Sequence, residues 1–118
     1  MMKTVFLING APYGDETTFN ALRLAGALAK RASNEVRVFL MGDAVNTAHS
    51  GQKVPEGYYN LQVMLGKVAK AGTGRVGICG TCMDARGMKT EDLIEGAHRG
   101  TLDELADWSE WADKLIVF

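Results

Sequence analysis

Short runs of mainly apolar residues recur along the chain, separated by longer segments with helical periodicity. The runs cover residues 5–8, 36–41, 75–78 and 115–118, and a glycine follows each of the first three within two residues. Strands that are apolar on both faces are typical of parallel sheets, because helices cover such sheets on both sides. The alternation therefore predicts an α/β fold with a mainly parallel sheet, in which residues 115–118 form an inner strand.

Helices are predicted over residues 15–32, 58–71 and 101–112. The apolar arc of the first helix includes Leu24 and is wider than one sheet face requires, and the last helix is expected to bury Leu102. Residues 43–57 are polar and are predicted to form a long loop, a kind of segment that is often functional or mobile. A short helix is predicted over residues 90–95, and His98 is predicted to lie in a loop.

Length and composition narrow the class of protein. A chain of 118 residues is long enough for one hydrophobic core, so we expect a single domain over residues 1–118. Apolar residues make up 47% and charged residues 23%, which are ordinary globular values. The net charge of −1 gives no reason to expect a nucleic acid partner. The apolar stretch near the N-terminus is too short for a signal core or a membrane span, so we expect no membrane association and a cytoplasmic location.

Both cysteines of the chain, Cys79 and Cys82, lie in a turn that directly follows the run at residues 75–78. In open α/β sheets, ligand sites lie beyond the carboxyl ends of the strands. We therefore expect Cys79, Gly80, Thr81 and Cys82 at the functional edge of the sheet. Backbone N–H groups of the turn, the following helical turn or Arg86 could then activate a thiol there, although Arg86 could equally be a surface residue or a subunit contact.

Four interpretations of this cysteine pair are open from the residues alone. One cysteine could carry sulfur as a persulfide, or the pair could cycle between dithiol and disulfide. The pair could be half of a zinc site completed by His49 and His98, although neither histidine has the tight spacing of a zinc motif. Finally, both cysteines could simply pack at the end of a strand. We expect no metal and no cofactor.

Other strand ends supply weaker candidates for ligand binding. Asn9 and Gly10 follow the first strand, and Gly42 and Asp43 follow the second. His49 lies in the long polar loop and could reach a neighbouring strand end. The chain has no Gly-x-Gly-x-x-Gly or Walker pattern, so the signal for a phosphate site is weak.

Taken together, these motifs resemble the DsrE/DsrF-like (YchN-like) family, which includes sulfur-relay proteins. The resemblance extends over the whole chain and depends mainly on the segments at residues 79–87 and 112–118, with support from residues 9–10 and 42–45. It implies a flavodoxin-like three-layer α/β/α sandwich, assembly as a homo-oligomer (trimer or hexamer), and a cysteine thiol near a subunit interface. In relay members the carrier cysteine precedes the closing glycine of the turn by eight residues, which from Gly87 implies Cys79. Those proteins generally lack a second cysteine at the position of Cys82.

The leading hypothesis is a cytoplasmic sulfur-carrier or sulfurtransferase-like protein. Cys79 would accept the sulfur, and Cys82 would act as a resolving or modulating thiol. Its partners would be sulfur donor and acceptor proteins or small sulfur compounds. The alternative is a non-enzymatic oligomeric module that binds a small ligand or a protein at the strand ends, with incidental cysteines.

Overall fold

A five-stranded sheet in which every strand pairing is parallel forms the centre of the molecule. The computed structural model describes all residues 1–118. The strands lie in the order β4-β3-β2-β1-β5, and they cover β1 (Met2–Ile8), β2 (Asn34–Leu40), β3 (Val76–Cys79), β4 (Ala97–Gly100) and β5 (Lys114–Val117). The α/β class and the parallel sheet predicted from the sequence are confirmed.

Four α-helices cover the sheet and give it three layers. They are α1 (Thr17–Ala29), α2 (Leu61–Lys70), α3 (Gly80–Ala85) and α4 (Leu102–Trp111). The chain crosses the sheet in one direction from β1 to β4, and right-handed crossovers then place α1 and α2 together on one face. It next returns past β1 to form β5, so α4 lies on the opposite face, where Trp108 packs edge-on against Phe39 of β2 at 5.9 Å. This arrangement is the predicted flavodoxin-like sandwich.

One cluster of 25 buried apolar residues fills the space between these layers. On the face covered by α1 and α2, Phe6, Val38 and Leu65 are fully buried. Residues of β2 alternate between the two faces, so Phe39 points to α4. None of the helices is long and apolar enough to cross a membrane.

The last strand is at an edge of the sheet, and the prediction of an inner strand was wrong. β5 pairs only with β1, from Thr4–Lys114 to Leu7–Val117. Leu115 and Val117 are 44% and 59% exposed. The apolar run at residues 115–118 predicts a strand, but it does not show which strands are its neighbours. The crossover after β4 determines that β5 pairs only with β1.

Five further predictions differ from the structure in detail. Leu102 is 70% exposed because it is the first residue of α4, and Leu24 is 40% exposed. Residues 43–57 are not one polar loop, because Gly42–Ala48 is a 3₁₀ helix whose small side chains are mostly buried. His98 lies in β4 rather than in a loop, and the helix predicted over 90–95 is only a 3₁₀ turn, Thr90–Asp92.

Candidate functional site

The carboxyl end of β3 brings both cysteines to the edge of the sheet. Cys79 is the last residue of the fully buried strand β3, and α3 begins at the next residue, Gly80. Both cysteines are free; Cys79 is 8% exposed and Cys82 is half-buried. Their position matches the functional edge that the sequence predicted.

Cys79 has the environment of an activated thiol. Burial raises its pKa, but hydrogen bonds outweigh burial and the net pKa of Cys79 is below its ordinary value. These hydrogen bonds involve the thiol of Cys82, the hydroxyl of Thr81 at 3.3 Å from Sγ, and the backbone of both residues. A lowered pKa increases the fraction of thiolate, which is the nucleophilic form.

Cys82 has the opposite property. Burial raises its pKa, and so do its hydrogen bond to Cys79 and the negative charge that Cys79 carries as a thiolate. The backbone N–H of Gly42 donates to the Sγ of Cys82 at 3.2 Å, and this contact and Arg86 only partly oppose the rise. The two thiols are therefore unequal: the pKa of Cys79 is lowered and that of Cys82 is raised.

Arg86 joins the end of β2 to α3 on the Cys82 side of the site. Its guanidinium donates to Oδ1 of Asp43 at 2.7 Å and to the carbonyl of Cys82 at 3.1 Å. Gly42, next to Asp43, has a φ of +54°, which a residue with a side chain rarely adopts. The sequence predicted that Gly42, Asp43 and Arg86 are candidates, and the structure brings all three together around Cys82. Of the two thiols, the charge of Arg86 acts on Cys82, where it opposes the rise in pKa.

A cavity of about 360 Å³ opens beside Cys79 on the face of the sheet that α4 covers. Its walls are apolar apart from Thr81, Thr101 and one cation, Arg99, and its apolar side chains are Phe39, Met41 and Leu102. Volumes of this size are typical of sites for small molecules. Cys79 thus lines a cavity in which Arg99 supplies the single positive charge.

Arg99 is held at this cavity by Asp84. Two of its nitrogens donate to the two carboxylate oxygens at 2.8 and 2.9 Å. This pairing lowers the pKa of Asp84 and raises that of Arg99, and the negative charge of the Cys79 thiolate raises the pKa of Arg99 further. A Cβ at Gly80 would lie 2.8 Å from the guanidinium carbon, so only glycine lets Arg99 lie against the start of α3.

Sequence reasoning did not find Arg99. Strand β4 has only four residues, and they include a histidine and an arginine, a pattern that does not indicate a strand. The position of Arg99 follows from the pairing of β4 with β3, where it lies beside Ile78 and precedes Gly100, the partner of Cys79. No local signal could have shown this pairing.

The remaining predicted ligand residues lie outside the Cys79 cavity. Asn9 donates from its backbone and from Nδ2 to the carbonyl of Phe118, and the carbonyl of Gly10 accepts from Thr18. His49 is exposed, with Nδ1 2.9 Å from the carbonyl of Ser50. Nε2 of His98 lies 2.8 Å from the carboxylate of Glu104. No group of three or more histidine, cysteine or acidic side chains is arranged to hold a metal ion.

Known proteins resemble this chain in both sequence and structure. The model of the DsrE/DsrF-like family matches residues 2–118. The protein YchN of Escherichia coli K12 is 50% identical over the full length of both chains, and an uncharacterized protein of Methanopyrus kandleri is 37% identical over 95% of this chain and 90% of its own. The crystal structure of YchN from E. coli superposes with a TM-score of 0.92, at 48% identity and full coverage of both chains. A protein of unknown function from Methanobacterium thermoautotrophicum gives a TM-score of 0.72 at 19% identity with full coverage of both chains, a likeness of fold alone.

Proposed function

Because this chain belongs to the DsrE/DsrF-like family, we propose that it is a cytoplasmic sulfur carrier that holds one sulfur atom as a persulfide on Cys79. The observation that supports this most directly is the unequal thiol pair: Cys79 has a lowered pKa and lines a cavity, while Cys82 has a raised pKa. A thiolate with reduced basicity is both a nucleophile and a good leaving group, and a carrier needs both properties.

Loading requires a donor that carries a sulfane sulfur, either a small persulfide or polysulfide or a protein persulfide. The thiolate of Cys79 attacks the outer sulfur of the donor R–S–SH. The new S–S bond forms as the donor S–S bond breaks, giving Cys79–S–SH and the thiolate R–S⁻. Unloading is the same step in reverse order, in which an acceptor thiolate attacks the outer sulfur and Cys79 leaves as the thiolate. No net oxidation occurs in either step.

Arg99 and the apolar walls define which donors fit the cavity. Small sulfane-sulfur compounds are anions near neutral pH, and Arg99 is the one cation that lines the cavity. Its pairing with Asp84 limits its net charge but keeps its guanidinium in place. A compact anion with an apolar sulfur chain is the donor that this cavity suits.

A dithiol–disulfide function is the second candidate, and the opposite shifts that the two thiols impose on each other's pKa favour it. If Cys82 attacks the inner sulfur of the Cys79 persulfide, a Cys79–Cys82 disulfide forms and one sulfide leaves. Two equivalents of a small thiol would then restore the dithiol, becoming a disulfide themselves. In this reaction Cys82 resolves the persulfide and the protein releases sulfide rather than passing sulfur on.

We also propose that copies of the chain assemble, as a trimer or hexamer. Leu115 and Val117 project from the same sheet face as Phe39, beyond the area that α4 covers, and both are exposed. Leu102, which is exposed as well, lines the Cys79 cavity. Leu102 lies beside β4 and the other two lie on β5, so exposed apolar side chains occur at both sides of this face. Exposed apolar surface is typical of interfaces, and a second copy that contacts Leu102 would border the cavity.

Intact-protein mass spectrometry tests the proposed function. The reduced protein is incubated with inorganic polysulfide, desalted and weighed, beside Cys79→Ser and Cys82→Ser. We expect a mass gain of one sulfur in the wild type and in Cys82→Ser, reversed by a thiol reductant, and no gain in Cys79→Ser. A gain that persists in Cys79→Ser would contradict the assignment. A loss of two hydrogens without any gain, seen in the wild type but not in Cys82→Ser, would support the dithiol function instead.

A further inference from the structure

A second cavity, also of about 360 Å³, shares no residue with the Cys79 cavity. It lies between the loop after β1 and the segment that leads into α2, and we call it the aromatic cleft. Four aromatic rings line it, those of Tyr13, Phe19, Tyr58 and Tyr59. Tyr58 and Tyr59 are 74% and 66% exposed, so their rings contribute little to the core.

Hydrogen bonds hold the wall of the aromatic cleft in a defined position. The hydroxyl of Tyr13 donates to Oε1 of Gln52 at 2.5 Å and accepts from the backbone N–H of Leu61 at 3.2 Å. Gln52 in turn donates to the carbonyls of Thr47 and His49. The loop after β1 is thereby tied to the first residue of α2. The ring centroids of Phe19 and Tyr59 lie 4.4 Å apart, so contacts within the chain hold the shape of the cleft.

The charge of the aromatic cleft is negative. Asp15 and Glu16 line it, no lysine, arginine or histidine does, and neither carboxylate takes part in an ion pair. Helices α1 and α2 both begin here, and each N-terminus contributes about half a positive charge. Asp15 already accepts from the backbone N–H of Thr17. Two formal negative charges against about one positive charge leave the cleft at roughly −1.

From this combination we propose that the aromatic cleft binds a small organic cation, an ammonium group that carries methyl or short alkyl substituents. Aromatic faces attract such cations through the ring quadrupole, and quaternary ammonium groups are their characteristic ligands. The carboxylates add charge complementarity, which a neutral apolar ligand would not need and an anion would oppose. The guanidinium of Arg23, one turn along α1, lies over the ring of Phe19 at 5.3 Å from its centroid, so this face of Phe19 is occupied and the tyrosine rings are the ones left for a ligand.

Choline and its neutral isostere, 3,3-dimethylbutan-1-ol, test the proposal because they differ in charge but not in shape. Binding is measured by isothermal titration and by NMR line broadening of the ligand. We expect choline to bind and the isostere to bind about three- to tenfold more weakly. Equal binding of the two would overturn the proposal, as would the absence of choline binding at millimolar concentration.

Variants locate the site. Tyr59→Ala removes an exposed ring without disturbing the core and should weaken choline binding at least threefold, whereas Tyr59→Phe should bind within twofold of the wild type. Glu16→Gln should also weaken binding. Glu56→Gln, in the segment that leads into α2 but not in the lining of the cleft, should leave it unchanged. Binding that is insensitive to Tyr59→Ala would contradict the site. If Tyr59→Ala instead lowers the oligomeric state, the cleft is an interface between copies of the chain and the proposal fails. None of these outcomes depends on Cys79.

Discussion

Removing the hydroxyl of Thr81 tests the origin of the reactivity of Cys79. This hydroxyl lies 3.3 Å from the Sγ of Cys79, and its hydrogen bond lowers the pKa of the thiol. Thr81 is exposed, so Thr81→Val keeps the shape of the side chain and should cost little stability. Thr81→Ser is the matched control because it keeps the hydroxyl. Both are made in Cys82→Ser, so that only Cys79 can be alkylated.

The size of the effect follows from the hydrogen bond. A hydrogen bond to a charged group contributes about 1.5–3 kcal/mol, and a long contact to sulfur should contribute less, about 1 kcal/mol. Its loss in Thr81→Val disfavours the thiolate by that amount, so the thiolate fraction below the pKa falls by about fivefold. A more basic thiolate is a better nucleophile, with a Brønsted coefficient of about 0.4–0.5. The alkylation rate near neutral pH should therefore fall by only about two- to threefold.

The assay is the rate of reaction with iodoacetamide as a function of pH. The removal of a group that lowers the pKa must move the midpoint of the rate profile to higher pH. Thr81→Val should show this shift together with a higher plateau rate, and Thr81→Ser should overlay its parent. Identical profiles in all three proteins, or a midpoint at lower pH in Thr81→Val, would refute the reasoning.

Three further predictions concern the rest of the molecule. Arg99→Gln should slow loading from inorganic polysulfide several-fold, and Arg86→Gln should not, because only Arg99 lines the Cys79 cavity; equal rates by mass spectrometry would contradict the role of Arg99. Deleting residues 115–118 should abolish soluble expression, since it removes the β1 pairing and the stacking of Phe118 on the buried Phe6; a truncated protein with unchanged melting would contradict this. Light scattering coupled to size exclusion at micromolar concentration should show a trimer or hexamer of the reduced protein, whereas a monodisperse monomer would exclude the proposed interface.

The sequence predicted those parts of the fold that local patterns determine. The runs at residues 5–8, 36–41 and 75–78 became three adjacent parallel strands, because side chains that are apolar on both faces must be covered on both sides. The same pattern also located Cys79 at the end of β3. A candidate reactive residue at the end of a parallel strand can thus be located from the sequence without knowledge of the strand order.

Features that depend on distant pairing could not be predicted in this way. β4 is recognisable only through its partner β3, and so Arg99 was not found. The edge position of β5 depends on a crossover over the face that α4 covers, and residues 115–118 alone do not reveal it. Arg86 was a candidate for activating a thiol of the turn, but the sequence did not show which one, because the direction of its side chain depends on the contact with Asp43 of a distant segment.

The contrast between acidity and accessibility at the two cysteines determines which chemical probe reports on which of them. Cys79 is the more acidic thiol but only 8% exposed, and Cys82 is the less acidic but the more accessible. A compact reagent such as iodoacetamide enters the cavity and follows thiolate content, so it should label Cys79 first. A bulky fluorescent maleimide or an aromatic disulfide is limited by steric access and should label Cys82 first. Reagents of different size will therefore rank the same two residues in opposite order.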